Sequence, residues 1–170
     1  WFVFFARRLS RPTGPCDTRS ARLWRWGGLI GLGTIWVVSV AILFGGNQPL
    51  TYMALLMAWA LPPLMLQLAF GGDILWHHRK VIFWTIIPTT VYLCVADAIA
   101  IESGTWTINP AQSVNFFVGG LPVEEIVFFF MTNVMITVGL ALVLARESQE
   151  RAPRVVLAWM NRLIGRPAAA

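Results

Sequence analysis

From Trp26 to Gly72 the sequence contains no Asp, Glu, Lys or Arg. The buried core of a soluble domain this small is interrupted by solvated turns long before that, whereas roughly 20 apolar residues suffice for one crossing of a bilayer. Composition points the same way. Hydrophobic residues make up 57% and charged residues 12%, with nine Trp and eleven Phe, against about 25% charged residues in an ordinary soluble domain. The expected fold class is all-α, a polytopic integral membrane helix bundle with about four transmembrane helices.

The four spans can be placed from hydropathy and breakers. The first runs from about Trp26 to Phe44, and its Gly27, Gly28, Gly31 and Gly33 suit close approach of a second helix in lipid. Gly45-Gly46-Asn47-Gln48-Pro49 turns the chain. The second covers about Leu50 to Phe70, where Pro62-Pro63 removes two amides and predicts a kink near mid-membrane. Gly71 to Lys80, with Asp73, His77, His78, Arg79 and Lys80, reads as an ordinary charged loop. The third span runs from about Val81 to Ala100 with Pro88 at its middle, and the fourth from Pro122 to near Leu144. Residues 1–25 then form the remnant of a preceding helix, Trp1 to Ala6, followed by an Arg-rich linker. Residues 26–145 form the transmembrane domain, and residues 146–170 a basic tail with a short interfacial helix over Val155 to Ile164.

The net charge of +5 does not indicate nucleic acid, because the basic residues are not interleaved with stacking aromatics in a soluble module. They follow the membrane. With the linker in the cytoplasm, all 13 Lys and Arg fall on that side, before the first span, between the second and third, or in the tail. The two opposite loops hold none, as the positive-inside rule demands. Cys16 and Cys94 read as free thiols. His77 and His78 are adjacent and so do not share a helix face, and with no third ligand nearby no metal site is expected. The glycines of the first span follow no strand, so no dinucleotide fingerprint is present and no cofactor is expected.

The residues that demand a reason are Glu124 and Glu125, in Leu121-Pro122-Val123-Glu124-Glu125 at the head of the fourth span. Helix-start chemistry accounts for part of this: Pro suits the first helical position, and Glu there complements the macrodipole by about 0.3 to 1 kcal/mol. It does not require two acids. Nor does it require Asp97, near the end of the third span, at the same membrane level and with no cation on that side. Along the fourth span Glu125, Thr132 and Gly139 recur every seven residues on one stripe, flanked by Phe129 and Asn133, while Glu124 points about 100° away. Desolvation and mutual repulsion disfavour a second charge in such a group, so one carboxyl can keep its proton and act as a general acid with its neighbour as acceptor.

These residues also carry a resemblance. Tyr92-Leu93-Cys94-Val95-Ala96-Asp97-Ala98-Ile99-Ala100, then Gly104-Thr105-Trp106, then Gly120-Leu121-Pro122-Val123-Glu124-Glu125 with Phe128-Phe129-Phe130 and Thr132-Asn133, is similar to the membrane-embedded lycopene cyclases. These occur as two small subunits in some bacteria and as a fused domain in fungal carotenoid enzymes. The resemblance covers about Leu50 to Leu144, including Leu61-Pro62-Pro63, and is to the second of two repeats of about three helices. It implies redox-neutral ring closure of lycopene end groups, initiated by a proton. Glu124, Glu125 and Asp97 would be the catalytic acids; Trp59, Trp84, Tyr92, Trp106, Phe128, Phe129, Thr132 and Asn133 would line the carotenoid site. It implies a partner too, either the missing N-terminal repeat or a homologous subunit. Cyclisation of a longer carotenoid, a non-catalytic subunit that completes a partner's site, and a small ion or proton carrier are the alternatives.

Overall fold

The structure is a computed structural model that describes residues 19–151. Trp1 to Ala6, Cys16 and the expected interfacial helix Val155 to Ile164 lie outside the described residues. Four helices are long and apolar enough to cross a membrane: α1 (Arg19–Phe44), α2 (Thr51–His77), α3 (Arg79–Glu102) and α4 (Val123–Leu144). A short α5 (Arg146–Arg151) follows. The chain is a multi-pass, all-α membrane bundle, with one small exception: β1 (Phe117–Val118) and β2 (Leu121–Pro122) pair antiparallel, Phe117 opposite Pro122.

The packing order differs from the chain order. α1 lies along α2, α2 along α4, and α4 along α3, while α2 and α3 scarcely touch although only His78 separates them. One apolar cluster joins Leu68, Ile74 and Leu75 of α2 to Ile82 and Ile86 of α3 and to Val138, Ala141 and Leu142 of α4. A second, nearer the other end, joins Leu56, Ala60, Leu61 and Leu64 to Met131, with Trp36 of α1 packed against it. Ile30, Ile35 and Val38 of α1 and Phe83, Val91 and Val95 of α3 face outward, which suits a surface bathed in lipid.

Polar satisfaction decides the close contacts, because the bilayer core holds no water to complete a hydrogen bond. Pro62 has no N–H, so the carbonyl four residues earlier, that of Ala58, loses its helical partner. The Trp36 indole of α1 donates to that carbonyl at 3.0 Å. The proline pair thereby becomes a docking point, and the backbone stays helical through it. The departure from helical geometry falls instead at Gly71 (φ −144, ψ 34). A Cβ there would collide with the side chain of Leu142, so the absent side chain lets α4 approach.

Three expectations are corrected here. α1 begins at Arg19, two turns before Trp26, because Arg, Ala and Leu favour helix and long Arg side chains can leave the apolar zone for the interface. Gly71 to Lys80 is not a charged loop: α2 continues to His77 and α3 starts at Arg79. Asp73 is 3% exposed and held by both Arg151 guanidinium nitrogens at 2.9 and 2.6 Å. The same guanidinium caps the Phe70 carbonyl at 2.9 Å beside the Gly71 irregularity. His78 is buried too, with Nε2 3.8 Å from a Glu147 carboxylate oxygen. Burial pushes its imidazole below the ordinary histidine range, and Glu147 opposes that shift. Finally, Pro122 is the residue before α4 rather than its first, because its carbonyl side remains extended (ψ 141) to complete β2.

Candidate active site

Three helices and one loop meet at the end of the bundle that carries no Lys or Arg among the described residues. Asp97 comes from α3, Glu124 and Glu125 from the first turn of α4, and Tyr52 from the first turn of α2. All three acids are buried: Asp97 is 5% exposed, Glu124 0% and Glu125 8%. The α4 N-terminus favours negative charge there through its unpaired amides. The described basic residues, Arg19, Arg22, Arg25, Arg79, Lys80, Arg146 and Arg151, all belong to the opposite end of the bundle.

The two adjacent glutamates have different surroundings. Glu124 Oε1 accepts from the Ser113 hydroxyl at 2.9 Å and from the Val114 N–H at 2.6 Å. It therefore ties the loop of residues 103–120 onto the head of α4. Asn115 reinforces that loop: its N–H donates to Ser113 Oγ, and its side-chain amide to the Pro110 and Ser113 carbonyls. Glu125, one helical step further round, accepts from the Tyr52 hydroxyl at 2.6 Å. Asp97 differs from both, since neither of its carboxyl oxygens has a hydrogen-bond partner among the described residues. Tyr52 lies within electrostatic reach of all three acids, and Glu125 within reach of Asp97 and Glu124. The four groups form one cluster. Cys94, a free thiol one turn before Asp97, borders it.

Deeper in the bundle the polar contacts continue. The Asn133 amide donates to Thr90 Oγ1 at 3.0 Å, and the Gln67 amide to the Met135 carbonyl at 3.2 Å. A Cβ at Gly139 would sit 3.0 Å from that Gln67 nitrogen, so the glycine of the seven-residue stripe makes room for Gln67. Thr132 is on the same stripe, with its hydroxyl oxygen buried and without a partner among the described residues.

The expected site residues divide into two groups. Phe128 and Phe129, ring centroids 5.4 Å apart, lie one turn below Glu124 and Glu125. Trp106, on the covering loop, is near enough to act on the Asp97 carboxyl but not in a geometry that makes a hydrogen bond. Trp59, Trp84 and Tyr92 present exposed surface instead: they are 44%, 63% and 72% exposed, and Trp84 is nearly four turns from Asp97. Glu124 is buried as well as Glu125, about 100° round the helix from it, because the loop of residues 103–120 folds back to cover it. Tyr52 and Ser113 were not singled out in the sequence. The signal for Tyr52 was a phenol hydroxyl at the head of an apolar span, and Ser113 had none.

Over 123 residues the chain is 38% identical to the lycopene beta-cyclase of Halobacterium salinarum, a match that covers 71% of this chain and 49% of that one. The chain belongs to the lycopene cyclase family. Two fungal relatives are bifunctional lycopene cyclase/phytoene synthases. That of Aspergillus niger is 35% identical over 121 residues, 64% of this chain and 20% of its own. That of Phaffia rhodozyma is 37% identical over 95 residues, 53% of this chain and 14% of its own. The chain thus spans about half the length of the archaeal cyclase and a smaller share of the fungal proteins. No family model matches the chain, and no solved structure does.

The clamp on Glu124 gives a stability prediction. Glu124→Ala strands two donors, a cost of about 1 to 3 kcal/mol, and should expose the loop of residues 103–120 to protease in detergent. Glu124→Gln, which keeps an acceptor oxygen, should leave the loop protected. Equal cleavage of both variants and the wild type would remove the clamp from the account.

Proposed function

We propose that the chain supplies the proton-transfer site of a carotenoid cyclase that closes rings at the ends of lycopene dissolved in the bilayer. The observation that carries this reading is the convergence of Asp97, Glu124 and Glu125 at one buried level beside Tyr52, far from every described cation. Membrane interiors tolerate ionisable groups chiefly where they are used. In the proposed reaction a carboxyl proton adds to the terminal carbon–carbon double bond, leaving a tertiary cation. A second double bond of the same end group attacks that cation, a carbon–carbon bond forms, and the charge moves to a ring carbon. A carboxylate then removes a proton from a carbon next to the new cation, restoring a double bond. One proton is gained and one lost, so nothing is oxidised or reduced and no cofactor is required.

The surroundings suit such a cation. Phe128, Phe129 and Trp106 offer aromatic faces beside the acids, each worth about 0.5 to 2 kcal/mol to a cation. Thr132 and Asn133 lie further along α4, where the polyene would run. Trp59, Trp84 and Tyr92 become candidates for substrate contact where a second half covers them. That half, an N-terminal repeat or a homologous subunit, is part of the proposal, and the coverage of only 49% of the archaeal cyclase supports it.

Coexpression in lycopene-accumulating cells, with and without the N-terminal half of a cyclase of this family, tests the reading by chromatography of the pigments. Ring-bearing products are expected with the partner present, and Glu125→Gln and Asp97→Asn should each lower their yield by about a hundredfold or more, the usual range for losing an acid or base starting there. If the wild-type pair makes no rings, the cyclase reading fails. If it makes rings and both variants match it, the chain is a non-catalytic subunit and the acids are structural.

The orientation proposed places the Arg-rich linker, the His78 turn and the tail in the cytoplasm, because the described Lys and Arg cluster at that end. A reporter fused after Gly120 should behave as external. A cytoplasmic signal there would reverse the placement.

A further inference from the structure

Closure of the ring leaves a cation with three neighbouring carbons that carry hydrogen: the ring carbon of the former double bond, a ring methylene and a methyl group. Removal of a proton from each gives a different double-bond isomer of the same ring. The choice depends on where the base oxygen stands relative to these carbons, and a displacement of about 1 Å can change rates by a hundredfold. A glutamate with free torsions would not make that choice reliably.

We propose that Tyr52 is the positioning residue that sets which proton is removed, and hence where the ring double bond lands. This rests on the proposed cyclase activity. The Tyr52 hydroxyl reaches from α2 to Glu125 Oε1 of α4 at 2.6 Å, within the range of a charge-assisted O–H bond to a carboxylate. It fixes one carboxyl oxygen and so restricts the direction in which the other faces. Neither neighbouring acid is held in this way, since Glu124 belongs to the loop clamp and Asp97 has no hydrogen-bond donor among the described residues.

Tyr52 is itself held from behind. Thr51 Oγ1 donates to the Asn47 carbonyl at 3.1 Å, and the turn Gln48–Leu50 packs against the turn Pro110–Gln112 of the loop that clamps Glu124. Glu125, which this proposal takes as the base, its tyrosine and the covering loop are therefore fixed to one another across three segments of chain.

The test compares the ring isomers made by the reunited wild-type enzyme and its Tyr52→Phe variant, which keeps the aromatic ring and removes only the hydroxyl. The isomer ratio is internal to each sample and does not depend on how much protein accumulates. A mixed population of double-bond isomers is expected from Tyr52→Phe, with total turnover lowered about tenfold by loss of one hydrogen bond to a charged group. Glu125→Asp, which withdraws the carboxyl by one methylene, should also alter the ratio. An unchanged ratio in Tyr52→Phe, or complete loss of product, overturns the inference. If the wild-type enzyme makes no rings at all, the proposed function has failed first.

Discussion

Inside a bilayer a polar atom without a protein partner has no water to turn to, and this constraint orders the bundle. Pro62 leaves the Ala58 carbonyl without its amide, and Trp36 answers it from α1. The backbone leaves helical geometry at Gly71, and Arg151 caps the Phe70 carbonyl beside it while pairing with Asp73. Gln67 spans the space left by Gly139 to reach the Met135 carbonyl. Each polar side chain fastens one helix to the next, in a setting where apolar contact alone gives little preference for protein over lipid.

Against that background the acid cluster is an exception. Glu124 is tied down and Glu125 is held by one tyrosine, but Asp97 buries two carboxyl oxygens with no hydrogen-bond partner among the described residues. Polar groups left in that condition are destabilising, by about 1 to 3 kcal/mol or more. Such an arrangement is understandable where the group has a proton to deliver. The opposite end of the bundle shows the contrast: Asp73 is equally buried but held by Arg151 through two hydrogen bonds, and it has the character of a fastening.

Much of this was legible in the sequence. The spans followed from the charge-free run and its breakers, and the shared level of Asp97, Glu124 and Glu125 followed from counting crossings. The family followed from the order of the Asp, Gly-x-Trp and Pro-x-Glu-Glu motifs. What escaped was tertiary. Asp73 looked like a loop residue because its partner Arg151 lies 78 positions away, and the partners of Glu124 were not foreseen because nothing local reveals that Ser113 and Val114 fold over it. Pro62-Pro63 correctly marked a place where the ladder is broken. What answers such a break depends on a donor from another helix, and here Trp36 supplies one to the Ala58 carbonyl. Tyr52 was missed for the same reason: its meaning lies 73 residues away, in Glu125.

In the proposed reaction a carboxyl proton starts the chemistry. Membranes holding the reunited enzyme, equilibrated in D2O before lycopene is added, test it most directly by mass spectrometry of the first products. One deuterium per ring closed is predicted, carried on the former terminal double bond, with Asp97→Asn and Glu125→Gln forming few rings of any kind. Rings formed rapidly without deuterium would contradict the account, because their proton could not have come from an exchangeable acid.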